Sequence, residues 1–280
     1  MADSRSEDVY AELVEAVLDQ RRRRHGEEDL IAQWTRRAPL FRFDPHRRFE
    51  SNLEVLASFV SPSDHVLEVG GGAGRVCLPL SLRCQHVTNV EPSPAMAEQF
   101  LASASEANIR NITVVPKEWL NAGSLQAEVV IAADVTYFVA DIGPFVRKLD
   151  VAAQRRVMIW IWSVPPPNRH ATLFELVHEE ALAPVPGHRE LLPVLWDMGL
   201  LPDVLMLPER FSWPETLPRT RTEAIRFARE QVQGRAQPDV EERLEANFDR
   251  LFERQGERYA PRWRPDAAGM LITWEPAKSL

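Results

Sequence analysis

The run Val66-Leu67-Glu68-Val69-Gly70-Gly71-Gly72-Ala73-Gly74-Arg75 decides how this chain reads. A short apolar strand ends in glycines at 70, 72 and 74, and a helix is expected to begin near Gly74. A bend without side chains lets a ligand lie against bare backbone amides at a helix N-terminus. The dinucleotide fingerprint spaces its glycines G-x-G-x-x-G, and here Arg75 holds the position of the last one. Glu68, two residues before Gly70, would repel a pyrophosphate but suits a ligand's ammonium group. Glu91, after the next strand, suits the two hydroxyls of a ribose. The pattern therefore asks for a nucleoside with a cationic tail and no phosphates. The plainer alternatives are a ligand-free tight turn and, for Glu91, a solvated loop carboxylate.

Outward from this run the texture is strand–helix alternation between residues 64 and 162. Strands are expected at Val66–Val69, His86–Val90, Ile112–Val115, Val129–Ala132 and Val157–Trp162, with helices such as Ala95–Ala107 and Ile142–Leu149 between them. That order reads as a parallel sheet covered on both faces. Residues 5–60 look helical: Val9, Leu13, Val14, Val17 and Leu18 form one apolar face that runs into Arg21–Arg24. A second helix is expected at Glu27–Arg37, and a third after Asp44, with Asp44 as N-cap and Pro45 in its first turn. Beyond Pro165-Pro166-Pro167 the spacing predicts helices at Leu173–Leu182, Glu190–Met198, Thr220–Gln233 and Asp239–Gln255, and strands at Asp203–Leu207 and Met270–Trp274. The organisation expected is a helical extension or lid over 1–60, then one domain over 61–280 with insertions at about 165–187 and 209–265.

Composition narrows the function. The 280 residues carry 33 Lys+Arg against 41 Asp+Glu, a net charge of −8 that counts against a protein coating nucleic acid. No apolar stretch is long enough to span a bilayer. Met1–Asp8 lacks the pattern of a secretory signal, so a cytoplasmic setting is expected. Two cysteines, Cys77 and Cys84, make no disulfide framework, and the scattered histidines show no metal-ligand spacing, so no metal is expected. The arginines at 21–24, 36, 37, 42, 47 and 48 read either as a solvated face balanced by Glu27, Glu28 and Asp29, or as a basic rim for an anionic substrate or RNA.

With these residues in view the chain resembles the class I S-adenosylmethionine-dependent methyltransferases. The matching blocks are Glu68–Gly74, Asn89-Val90-Glu91-Pro92-Ser93-Pro94-Ala95-Met96, Val114–Trp119 and Ala132–Phe138. The resemblance implies a doubly wound, mostly parallel α/β sheet of seven strands in the Rossmann-like methyltransferase fold, and S-adenosylmethionine as cofactor. It further implies that Gly70, Gly71, Gly72 and Gly74 pack under the methionine part and sugar, and that Glu68 lies below the amino group. Glu91 would bind the ribose, Pro92 and Met96 would flank the adenine, and Glu118 or Trp119 would meet its edge or face. The family usually has an Asp beside the adenine amine, whereas the acid here is Glu118. Trp119 reads either as an adenine platform or as a cap on the sheet edge. Ala133 and Asp134 would stand near the transferable methyl group.

Methyl transfer from a sulfonium is an in-line displacement, so the protein mainly positions the nucleophile. A base is needed only for an acceptor with a tightly held proton, and Asp134, Tyr137 and His170 are the candidates. Trp160 and Trp162 read as core, and Cys77 as a small buried hydrophobe. The expected function is methylation of a small-molecule acceptor, with nucleic acid disfavoured as a partner and no membrane expected. The alternatives are an RNA or protein methyltransferase and a non-catalytic S-adenosylmethionine-binding protein. Nicotinamide-dependent oxidoreduction is disfavoured by Arg75. The oligomeric state is not legible.

Overall fold

The computed structural model describes residues 5–26, 35, 38–210, 218–232, 239–263 and 266–276. Among the described residues nine strands form: β1 His65–Val69, β2 His86–Val90, β3 Ile112–Val115, β4 Ala127–Ala133, β5 Ala153–Trp162, β6 Asp203–Arg210, β7 Phe252–Gln255, β8 Arg258–Pro261 and β9 Ala268–Trp274. Seven of them make one sheet in the order β3-β2-β1-β4-β5-β9-β6. Strands β1 to β5 run parallel, and β9 is antiparallel to both neighbours. The chain winds outward through β2 and β3, then returns to place β4 on the other side of β1. The carboxyl ends of β1 and β4 thus border the crevice where open α/β sheets receive ligands.

Alternation along the strands divides the core between two faces. Leu67, Val69, Val130, Ala132, Val157, Ile159 and Ile161 face one side, against helices α1 Arg5–His25, α5 Ile142–Ala152 and α7 His188–Asp197. Val66, Val129, Ile131, Met158, Trp160 and Trp162 face the other, against α2 Ser51–Ala57, α3 Cys77–Ser81 and α4 Pro94–Glu106. A separate cluster joins α6 Ala171–His178, α8 Arg221–Gln231, α9 Val240–Ala246 and α10 Phe248–Leu251 around Phe227, Phe248 and Trp263.

The expected strands all form: His86–Val90 and Ile112–Val115 keep the expected ends, and the others run longer. Three helices differ from the reading of the sequence. Asp44 does not cap a helix. Its Oδ1 accepts the His46 backbone N–H and its carbonyl that of Arg47, which closes a turn, and the helix waits until Ser51. The helix after the glycines begins at Cys77, because Gly72 and Gly74 hold φ of +55° and +89°, outside the helical region. Asp239–Gln255 breaks into two short helices and the strand β7, which pairs with β8 across a turn at Gly256, φ +66°. The expected helix Glu27–Arg37 lies almost wholly outside the described residues.

The N-terminal portion roofs the carboxyl edge of the sheet. Tyr10 on α1 donates its hydroxyl to the Thr136 carbonyl (2.8 Å). The 3-10 turn Ala38–Phe41 lays Ala38 on Ala73 and Met96. Arg47 donates to the Arg75 carbonyl (2.8 Å), tying the segment after that turn to the glycine run.

Candidate active site

Each glycine after β1 has its own reason. Gly70 (φ +67°) donates to the Val90 carbonyl (2.7 Å), and a Cβ there would stand 2.7 Å from a Val135 methyl. A Cβ on Gly71 would meet the Asn89 carboxamide oxygen at 2.6 Å, and one on Gly74 the Leu78 side chain at 2.5 Å. Gly72 is different: a Cβ there would meet only the Met96 sulfur, at 3.9 Å. Space is left open over this one residue, as a nucleoside cradle requires.

Two buried side chains hold the bend. Asn89, fully buried, accepts the Gly71 N–H with Oδ1 and donates Nδ2 to the Gly72 carbonyl, both at 3.1 Å. Glu91 accepts the Gly72 N–H (2.9 Å) on one carboxylate oxygen and the Ser93 N–H (2.8 Å) on the other. A carboxylate offers about four lone-pair sites, so two remain for a diol. Burial raises the Glu91 pKa against those two backbone bonds. Glu68 is buried too and accepts the Cys77 N–H (3.0 Å) at the start of α3, where a carboxylate suits the helix dipole. Burial raises its pKa as well. The same desolvation pushes the Cys77 thiol well above its ordinary value, so it stays protonated. Pro92 opens the short link from Glu91 to α4, whose N-cap is Ser93.

Residues 67–155 match the family described as "Methyltransferase domain". A 69-residue stretch is 45% identical to ribosomal RNA small subunit methyltransferase A of Mycobacterium avium, covering 24% of this chain and 22% of that protein. The chain thus spans about a fifth of the length of the curated relatives it matches. Two solved structures share the fold. The YcgJ protein of Bacillus subtilis has a TM-score of 0.53 at 14% identity, over 81% of this chain and 99% of that one. A Bacillus halodurans C-125 protein assigned as a methyltransferase candidate has a TM-score of 0.57 at 10% identity, over 82% and 100%.

Residues 67–155 are thus similar to a methyltransferase domain, and the fold is one that solved structures share.

Across from the glycine bend, Asp134 follows β4 with φ +59°. Its Oδ2 accepts from Arg75 Nη2 (2.8 Å) and Trp162 Nε1 (3.3 Å), and its Oδ1 from the Tyr137 hydroxyl (3.2 Å). The Tyr137 oxygen in turn accepts the Trp162 backbone N–H (2.9 Å). Burial, then the charge of Asp134, pushes the Tyr137 phenol well above its ordinary value, so it is a neutral donor at physiological pH. Arg75 lies 4.7 Å over the Trp160 ring, and Arg169 lies 5.0 Å over that of Trp162. His170 closes the 3-10 turn Pro167–His170, next to Arg169.

Of the residues expected at the site, Glu68, Gly70–Gly72, Gly74, Glu91 and Met96 gather round the bend, and Ala133, Asp134 and Tyr137 gather at the end of β4. Glu118 and Trp119 are differently engaged. Glu118 is exposed and accepts from Asn121 (3.1 Å). Trp119 is buried, donates Nε1 to the Phe145 carbonyl (3.2 Å), and carries the Lys148 ammonium 4.6 Å over its ring, which ties it to α5. Sequence reasoning assigned no role to Asn89, Arg75 or Arg169. An amide at the end of β2, two residues before Glu91, was the available sign for Asn89. Arg75 and Arg169 meet Asp134 and Trp162 only through the folded chain.

Proposed function

We propose that the chain methylates a small-molecule acceptor, with S-adenosylmethionine lying over Gly72. The open space above that residue, framed by Glu91 and the Asn89-braced turn, is the observation that carries the reading. The cofactor supplies an electrophilic methyl on its sulfonium when bound. Glu91 would accept hydroxyl protons of the ribose, and Glu68 would face the amino group through its remaining lone pairs. Asp134 would orient the acceptor and take its proton where it has one to lose. Arg75, Tyr137 and Trp162 position that carboxylate. No step is assigned to His170.

A small acceptor is favoured by how the N-terminal segment is used. Arg23 and Arg24 pair with Glu180, Arg21 and Arg24 lie over Phe138 and Phe174, and Arg42 pairs with Glu106. Each of these arginines has a partner within the molecule, while Arg36 and Arg37 lie outside the described residues. The reading makes residues 1–60 a lid and the insertions at about 165–187 and 209–265 the acceptor walls. Its setting is a reducing cytoplasm, in keeping with the free thiols Cys77 and Cys84. Among the described residues no helix is long and apolar enough to cross a membrane. Calorimetry with S-adenosylmethionine and S-adenosylhomocysteine tests the cofactor. Labelled-methyl transfer to small-molecule, RNA and protein fractions tests the acceptor, and label in RNA would overturn the small-molecule reading.

A further inference from the structure

Away from the glycine bend, a cavity of about 350 Å³ is lined by Asn168, Arg169, Ala171, Thr172, Arg250, Arg262 and Trp263. Its lining has three guanidinium groups, an amide and a hydroxyl, and no carboxylate. Arg250 and Arg262 take part in no ion pair among the described residues. Arg250 donates to the Asn247 side chain (3.2 Å), and Arg262 donates Nε to the Phe252 carbonyl (3.0 Å). Neutral acceptors therefore hold both in place without cancelling their charge. Arg169 donates Nε to the Val164 carbonyl (3.1 Å) and is buried. Asn168 is fixed by two hydrogen bonds with the Val185 backbone, both 2.9 Å. The first residues of α6 complete the wall, so the positive end of that helix adds to the same sign. Beyond Arg250 lies a second cavity bordered by Glu175, Glu179 and Glu180, so Arg250 divides a basic chamber from an acidic one.

The basic chamber adjoins the reaction centre through Arg169. That side chain lines the cavity and also lies over Trp162, whose indole nitrogen donates to Asp134. We propose that the Arg169–Arg250–Arg262 cavity binds an oxyanion, a phosphate or carboxylate, carried by the methyl acceptor. Planar guanidinium forks and a fixed amide are the donors such a group requires. Assignment to the acceptor rests on the methyltransferase reading; oxyanion binding itself does not.

The full chain is titrated calorimetrically with sodium pyrophosphate and with sodium succinate, against sodium chloride at matched ionic strength. Arg250→Gln and Arg262→Gln, both at exposed side chains, are each expected to weaken the binding anion by about tenfold. Thr172→Glu, which places a carboxylate in the cavity with every arginine retained, should abolish binding. S-adenosylhomocysteine affinity should stay within about twofold in all three, since none touches the glycine bend. Preference for pyrophosphate or succinate separates a phosphate from a carboxylate ligand. Absence of heat from both anions, or equal binding in the variants, overturns the site. If both anion binding and its loss are seen but S-adenosylhomocysteine does not bind, the cavity stands and its assignment to a methyl acceptor falls. With metabolite extract and labelled cofactor, product retained on an anion exchanger supports that assignment; label confined to neutral or cationic products overturns it.

Discussion

Arg75 and Asp134 meet at 2.8 Å across the crevice between the glycine bend and the end of β4, each about three-quarters buried. In the proposed reading the pair joins the cofactor side of the site to the acceptor side. Because Arg75 also covers Trp160, removing it takes away an ion pair and a cation–π contact together. A double-mutant cycle with Arg75→Ala and Asp134→Ala, read by urea unfolding, should give a coupling of about 1 kcal/mol. Asp134→Asn should lower kcat by tenfold or more (~1.4 kcal/mol in the barrier) and leave S-adenosylhomocysteine affinity nearly unchanged. A large loss of affinity would move Asp134 to the cofactor side.

Gly72 and Gly74 should respond differently to a methyl group. Gly72→Ala meets open space, so its stability loss should be near the ~1–2 kcal/mol of a left-handed backbone alone, while cofactor binding collapses. Gly74→Ala adds a clash with Leu78 and should lose about 2–5 kcal/mol by the same urea measurement. Intact cofactor binding in Gly72→Ala would place the ligand elsewhere.

Acid should act on affinity and on stability with opposite signs. Burial raises the pKa of Glu91 and of Glu68 above the ordinary 4.5. A carboxyl with a raised folded-state pKa takes up its proton more readily when folded, so its protonation stabilises the ligand-free fold as pH falls from neutral toward 4.5. The same proton uptake removes the acceptor that Glu91 offers a ribose. S-adenosylhomocysteine affinity should therefore weaken in that window, and Glu91→Gln should flatten the dependence in calorimetry at stepped pH.

Glu180 behaves the other way. Hydrogen bonds from Gln20 and Arg24, with Arg23 beside them, lower its pKa to about 2. Its contribution is thus present above the ordinary value of 4.5 and is lost as pH falls from there toward 2. Hydrogen-exchange protection in the last turns of α1, taken relative to the intrinsic rate at each pH, should fall across that interval in wild type, and should already be lower at neutral pH in Glu180→Gln.

Much of the fold was legible because its cause is local. Val129–Ala132 is a continuous apolar run and His86–Val90 a short β-rich one, and a parallel sheet buried on both faces leaves such marks. The late helices were less legible. Asp239–Gln255 keeps helical spacing along its length, yet the pairing of β7 with β8 converts its last residues to strand. At the site, Glu68 and Glu91 were readable because a carboxylate at a strand end is chemically conspicuous. Trp119 was ambiguous because its commitment to Phe145 and Lys148 comes from α5, about 25 residues further along the chain. Trp162 read as core from its alternation with Ile161, and it is buried, but its indole N–H also reaches Asp134.

Tyr10 reaches the backbone at Thr136, two residues past Asp134, from a helix that lies wholly ahead of the stretch matching the family. A shortened protein starting at residue 60 would keep every glycine of the bend and both loop acids, yet it would bare the Thr136 carbonyl and uncover Ala73 and Met96. Such a fragment should sample open arrangements of the β4 edge that the intact chain forbids. Fragment screens or tagging strategies that discard the leading helix would then be probing a different receptor.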